Sequence, residues 1–274
     1  MITEQQRADR KLGIGGSDVA IIMGLSNYMT PVALWMQKCG TLEIESSDSP
    51  QAYWGNRLED IVRQEFALRH DCEITQPDTI VHPSHTYMRG NIDGFIPSEN
   101  AVLEIKTCNQ FLSHEWGQEG AEIPPRYLVQ IAYYCMLTNA SKGYVAVLIG
   151  GQDYREYVYE RDEWLEAEIV LACDQFWHCV ERNIQPEAQY ADMKYLFKAI
   201  EEKSIVYTTD LEKPIKDLLA VKYKVKQLQI EEEQAKLQIM QYMQDAEYLT
   251  DHDGKVLVSW KANKRGRTFL VKGE

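Results

Sequence analysis

Two carboxylates and an amine, Asp93, Glu104 and Lys106, fall in short apolar-flanked runs, 91–96 and 101–107, that read as neighbouring β-strands. Strand side chains alternate faces, so Glu104 and Lys106 point one way while Leu103 and Ile105 point the other. Pro97, Ser98, Glu99 and Asn100 are turn residues between the runs. If Ile96 partners Ala101 across that turn, Asp93 lies opposite Glu104 with Cβ atoms roughly 5 Å apart. Adjacent carboxylates repel unless something positive lies between them. A hard divalent cation with oxygen ligands, Mg²⁺ or Mn²⁺, meets that need. Lys106, one pleat on, can then orient a water or stabilise charge on a phosphate. The same pattern also fits a solvated hairpin face on which Glu and Lys merely alternate.

Other candidates lie on predicted helices. Over 53–70, Trp54, Leu58, Ile61, Val62 and Phe66 form one apolar arc at ~100° per residue. Glu59 falls at its edge, within reach of a sheet-borne cation, and Glu65 nearer its middle is a rival. Either can instead pair with Arg63 or Arg69. Gln130 and Tyr134 share a face of a helix over 125–138, as phosphate or water contacts or as ordinary interior hydrogen-bonding groups.

Positioning these residues requires both helices and sheet. Ser17 or Asp18 suits the N-cap of a helix at 19–23. Thr30-Pro31 opens a second helix that Gly40 closes. Segments 142–149 and 153–159 read as a hairpin, followed by a helix to about 183. From 209 to 247 the pattern is helical and charged, with Leu218, Val221, Val225, Leu228 and Leu237 as an apolar stripe. Runs at 255–261 and 267–272 flank Asn263-Lys264-Arg265-Gly266, a basic hairpin with Trp260 available for base stacking. The order predicts an α/β fold with a mixed central sheet flanked by helices, a core over 1–208 and a helix-plus-hairpin extension over 209–274.

At 274 residues and 45% hydrophobic, the chain is globular in composition, which excludes collagen-like and wholly disordered classes. No apolar run approaches the ~18 residues of a membrane span, and the polar start lacks a signal-peptide core. Six scattered cysteines without a CxxC pair suggest reduced thiols in the cytosol and argue against an iron–sulfur cluster. His82-Pro-Ser-His85 has metal-like spacing but reads as a turn. A net charge of −13 looks adverse to a phosphate partner, yet residues 211–274 carry 12 basic against 10 acidic side chains. An acidic body can still confine positive charge to a groove.

Six stretches in order resemble the YqaJ-type viral recombinases, phage relatives of lambda exonuclease in the PD-(D/E)XK nuclease superfamily. They are GIGGSDVAIIMGLSNYMTPVALWMQKCG at 13–40, WGNRLEDIVRQEF at 54–66, MRGNIDGFI at 88–96, LEIKT at 103–107, YLVQIAYYCMLTNASKGYVAVLIGG at 127–151 and ERDE at 160–163. The resemblance implies a restriction-endonuclease-like core and a Mg²⁺-dependent 5′→3′ exonuclease that digests linear duplex DNA from its ends. Asp93 and Glu104 would ligate the metal with the carbonyl of Ile105. Lys106 would be the catalytic lysine, Glu59 the helix-borne acid, and Gln130 and Tyr134 the QxxxY pair. Arg10 and Ser17 keep the family's seven-residue separation for groups that hold the 5′-phosphate, with Arg7 or Lys11 as substitutes for Arg10. The resemblance also implies a ring-shaped homotrimer, a single-strand annealing partner of the RecT or lambda-beta type, and a phage or prophage origin in bacterial cytoplasm. An endonuclease of the same superfamily and a non-catalytic DNA-end-binding scaffold are the alternatives.

Overall fold

The computed structural model describes residues 11–43, 49–197, 200–263 and 266–272. The chain divides into two compact units, Met1–Lys198 and Ala199–Glu274.

In the first unit, helices α1 (Gly16–Ile22), α2 (Pro31–Lys38) and α3 (Pro50–His70) come first. A two-stranded ribbon of β1 (Ile80–Val81) and β2 (Arg89–Gly90) follows. The central sheet has the order β3 (Gly94–Ile96), β4 (Ala101–Cys108), β5 (Lys142–Ile149), β6 (Asp153–Glu160). β4 and β5 are parallel and the two outer pairs antiparallel, so the sheet is mixed as the sequence predicts. Parallel neighbours need a crossover, and α4 (Pro125–Thr138) supplies it; α5 (Glu163–Arg182) follows β6.

The two faces of β4 have different fates. Leu103 and Ile105 pack with Val62 and Phe66 of α3 in one core. Val102 belongs to the larger core with Val129, Ile131, Ala132 and Tyr133 of α4 and with Ile169, Cys173 and Phe176 of α5. Burying side chains such as Val62 and Phe66 contributes roughly 1.5–3 kcal/mol each. The apolar arc expected on α3 is only partly buried. Trp54 is 58% and Ile61 57% exposed, because the helix meets the sheet along Val62 and Phe66 and these two stand outside that seam.

Several boundaries differ from expectation for local reasons. α1 is capped by Gly15, and Asp18 folds its carboxylate back onto the Gly15 N–H at 2.9 Å, so neither Ser17 nor Asp18 is the cap. Thr30 does cap α2, accepting from the Ala33 N–H at 3.2 Å. The strand expected over 91–96 is reduced to Gly94–Ile96, and its turn is a 3₁₀ helix, Pro97–Glu99, ended by a left-handed Asn100. His82 and His85 do form a turn, with His82 Nδ1 accepting from the Ser84 and His85 N–H groups.

The four-residue α6 (Met193–Leu196) closes the first unit, and α7 (Glu212–Met243) begins the second after a 3₁₀ turn. A three-stranded antiparallel sheet of β7 (Tyr248–Thr250), β8 (Val256–Asn263) and β9 (Gly266–Val271) follows. The hairpin is therefore present, with a third strand that the sequence reading missed. Its tip residues Lys264 and Arg265 lie outside the described residues. Arg267 stacks on Trp260 at 3.7 Å and donates to the carbonyls of Gln244, Ala246 and Trp260, so one indole face expected to be open to bases is already covered. Among the described residues no helix is long and apolar enough to cross a membrane, and all six cysteines are free.

Candidate active site

The predicted register holds: Gly94, Phe95 and Ile96 pair with Leu103, Val102 and Ala101. Asp93 sits at the bend one residue before β3, beyond the last ladder pair, so its own main chain is not held by the sheet. Two other contacts fix it. Its carboxylate accepts from the Ile105 N–H at 2.8 Å, and its carbonyl accepts from Arg63 Nε at 2.8 Å.

Glu104 is the deepest member, with 2% of its surface exposed. Its Oε1 accepts from Lys106 Nζ at 2.5 Å and from Gln130 Nε2 at 2.7 Å. Its Oε2 is buried with no hydrogen-bond partner. Unsatisfied buried carboxylate oxygens are costly. Burial first, and then the negative charge of Asp93, push the Glu104 carboxyl up to about 8. Asp93 is also raised by burial, against the opposing pull of Lys106. Glu59 is raised by burial and by Asp93. Burial alone would lower the Lys106 ammonium, but Glu104 and Asp93 more than offset it and hold it charged.

This donor set fits a hard cation. Among the described residues no three His, Cys, Asp or Glu side chains stand close enough to hold a metal by themselves. Mg²⁺ commonly takes only one or two carboxylates and completes its shell with water and substrate phosphate. The unpartnered Glu104 oxygen and the neighbouring Asp93 supply such a pair.

Beside these acids lies a cleft of about 580 Å³ lined by Ser17, Glu59, Arg89, Asn91, Asp93 and Tyr134, among others. Its floor depends on two glycines. A Cβ on Gly16 or Gly90 would come within 2.5 and 2.6 Å of the Tyr134 ring, so both positions must lack one for the ring to lie between them. The Tyr134 phenol is raised well above its ordinary value, by burial first and then by Glu104 and Asp93, and stays protonated as a donor. The segment before α1 is tied down as well. Tyr133 donates to the carbonyls of Ile14 and Arg89, while Lys38 Nζ bonds the Gly13 carbonyl at 2.7 Å and Asp18 at 2.6 Å.

The structure thus brings together Glu59, Asp93, Glu104, Ile105, Lys106 and Gln130, and sets Ser17 and Tyr134 on the adjoining cleft wall. Arg10 and Arg7 lie outside the described residues, and Lys11 is exposed. Both glutamates of α3 have arginine partners, but Glu59 faces the cleft while Glu65 pairs with Arg69 at the surface. Sequence reasoning missed Arg89 and Asn91 as cleft residues and the Asp18–Lys38 pair. The first two adjoin the Asp93 motif and were within reach; the pair spans 20 residues and leaves no local signal.

The YqaJ-like viral recombinase domain matches residues 7–141. The Bacillus subtilis (strain 168) protein YqaJ is 35% identical over 258 residues, spanning 90% of this chain and 80% of that protein. The alkaline exonuclease LHK-Exo from Laribacter hongkongensis superposes with a TM-score of 0.57 at 24% identity, covering 71% of this chain and 98% of that one. Its complex with dAMP gives 0.56 at 23% identity over the same shares. At that identity the likeness establishes the fold, the PD-(D/E)XK-like arrangement of a mixed sheet between helices. With the domain match and the relative spanning most of both chains, the protein belongs to the YqaJ-like viral recombinase family.

Proposed function

We propose that the protein is a Mg²⁺-dependent 5′→3′ exonuclease, with Mn²⁺ as a substitute, that degrades linear double-stranded DNA from its ends. The resulting 3′ single strands would feed phage-type recombination by strand annealing. The observation that carries this reading is the buried, unpartnered Oε2 of Glu104 beside Asp93, with the Lys106 ammonium on the other oxygen. Family membership and an exonuclease among proteins of the same fold support a DNA substrate.

A divalent cation held by Asp93, Glu104 and the Ile105 carbonyl would polarise the scissile phosphate and acidify a water. The chain's own groups do the rest. Gln130 occupies Glu104 Oε1 and so leaves the second oxygen free. Lys106, held charged, orients the attacking water and offsets charge building on the phosphate. Glu59 is the additional acid from α3. Water adds to phosphorus, the bond to the 3′ oxygen breaks, and that oxygen leaves with a proton, releasing a 5′-mononucleotide. Ser17, Tyr134 and Arg10 hold the 5′-terminal phosphate, which sets polarity. Residues 1–208 carry this chemistry, and 209–274 form an extension. A homotrimer, a RecT- or lambda-beta-type annealing partner and a bacterial cytoplasmic setting complete the proposal.

The test is Lys106→Ala on 5′-phosphorylated linear duplex with Mg²⁺. Digestion should be abolished while folding and DNA binding persist; a fully active variant overturns the assignment. Cleavage of covalently closed circles by the wild type would instead mark an endonuclease, and bound but uncut linear DNA a scaffold.

A further inference from the structure

We infer that Arg63 is a positioning residue: one guanidinium holds both the helix-borne acid Glu59 and the main chain of Asp93, the acid at the bend before β3, beside the proposed cation site. The inference rests on the proposed reading of Asp93 as a cation ligand.

Arg63 is only 9% exposed and stands with Val62 and Phe66 among the buried residues of α3. Its three arms go to three different acceptors. Nε donates to the Asp93 carbonyl at 2.8 Å, Nη2 to Glu59 at 2.6 Å, and Nη1 to Asp60. The first contact matters most. Asp93 lies outside the β3–β4 ladder, so the sheet does not fix its carbonyl, and Arg63 does. The Ile105 N–H then orients the carboxylate from β4. Asp93 is thereby clamped from α3 at its main chain and from β4 at its side chain. The same guanidinium holds Glu59, one turn earlier on α3, at the rim of the cleft.

A planar fork with fixed donors can bond all three acceptors at once, whereas a lysine ammonium on a flexible stem cannot reproduce that geometry. A group that orients a ligand without touching the metal typically changes affinity 10–100-fold when removed. Arg63 offers no acceptor and never meets the cation. Its effect must pass through Asp93 and Glu59.

The experiment uses the full chain and Mn²⁺ alone, without DNA, read by calorimetry and by the electron paramagnetic resonance of bound Mn²⁺. Arg63→Lys and Arg63→Gln should each weaken Mn²⁺ binding by about 10- to 100-fold and raise the Mn²⁺ concentration needed for half-maximal digestion, leaving the KM for DNA near wild type. Asp60→Asn, which removes the solvent-facing partner (side chain 73% exposed), should change none of these. Wild-type Mn²⁺ affinity in both Arg63 variants overturns the inference, as does a failure of both to fold, which would make the residue structural. Asp93→Asn separates the two levels. If the wild type binds Mn²⁺ no better than Asp93→Asn, the proposed function falls; if it does but the Arg63 variants match it, only the role of Arg63 falls.

Discussion

The sheet-centred unit and the extension distribute polarity in opposite ways. In the first, charged side chains go inside: Glu104, Arg63 and Glu166 are all under a tenth exposed. In the second, apolar side chains come out: Leu218, Val221, Val225 and Leu228 of α7 are about half exposed or more. Burying charge is costly and has to be matched by partners. Arg161 clasps Glu166 with two nitrogens, at 2.8 and 2.6 Å, and that pair is fully satisfied. Among the described residues Glu104 is the carboxylate that keeps a buried bare oxygen, and it does so behind Asp93, which lines the cleft. The contrast separates charge that is buried to complete a scaffold from charge that is buried and left incomplete. An acid of the second kind, with a second acid and an ammonium beside it, points to chemistry.

The largest effect that can test this contrast is on turnover. Asp93→Asn and Glu104→Gln should each reduce digestion of linear duplex by about 10³-fold or more, whereas Glu166→Gln should affect melting temperature and spare hydrolysis. A Glu166→Gln enzyme as inactive as Glu104→Gln would erase the distinction. Next comes pH. The Glu104 carboxyl is raised from 4.5 to about 8 in the folded chain. Across that window the folded protein keeps a proton that the unfolded chain has released, so this group's contribution makes stability fall as pH rises. Metal-free protein should therefore melt progressively lower from pH 5 to 8. Because a cation must displace that proton, Mn²⁺ affinity should strengthen about tenfold per pH unit towards about 8. Flat titrations of both kinds would remove Glu104 from the site.

Smaller effects probe packing. Gly90→Ala drives a methyl into the Tyr134 ring and should cost about 1–3 kcal/mol in chemical denaturation. In the extension, Arg267→Ala loses the stack on Trp260 and three carbonyl contacts, with an expected cost of about 1 kcal/mol. Leu228→Ser on α7 should change stability by less than about 0.5 kcal/mol, since its side chain is already 62% exposed. A larger cost there would mean that the stripe is covered in solution.

What could be read from the sequence follows from how far each constraint reaches along the chain. Alternation in β4 put Glu104 and Lys106 on one face, and the short connection fixed the Ile96–Ala101 register whatever form the turn took. Spacing of four put Gln130 and Tyr134 on one face of α4, and both turn toward the acids. Local cues failed where tertiary contacts decide. Periodicity grouped Trp54 and Ile61 with Val62, but only contact with β4 and β5 determines which residues are covered. Arg63 was visible as a partner for Glu59, while its bond to the Asp93 carbonyl needs α3 to be laid against a bend 30 residues away. The extension's third strand was too short, at three residues, to register as a pattern.

The parallel pairing of β4 with β5 carries a last consequence. Side-by-side strands running the same way force the chain to travel back across the sheet, and that return journey is made by the helix bearing Gln130. The amide reaches the acid because the topology has no other way to come home. New termini opened between 109 and 141 would cut the return path and loosen the amide in the same stroke, whereas a break in the loop at Gly150–Gly151 would leave that tether whole.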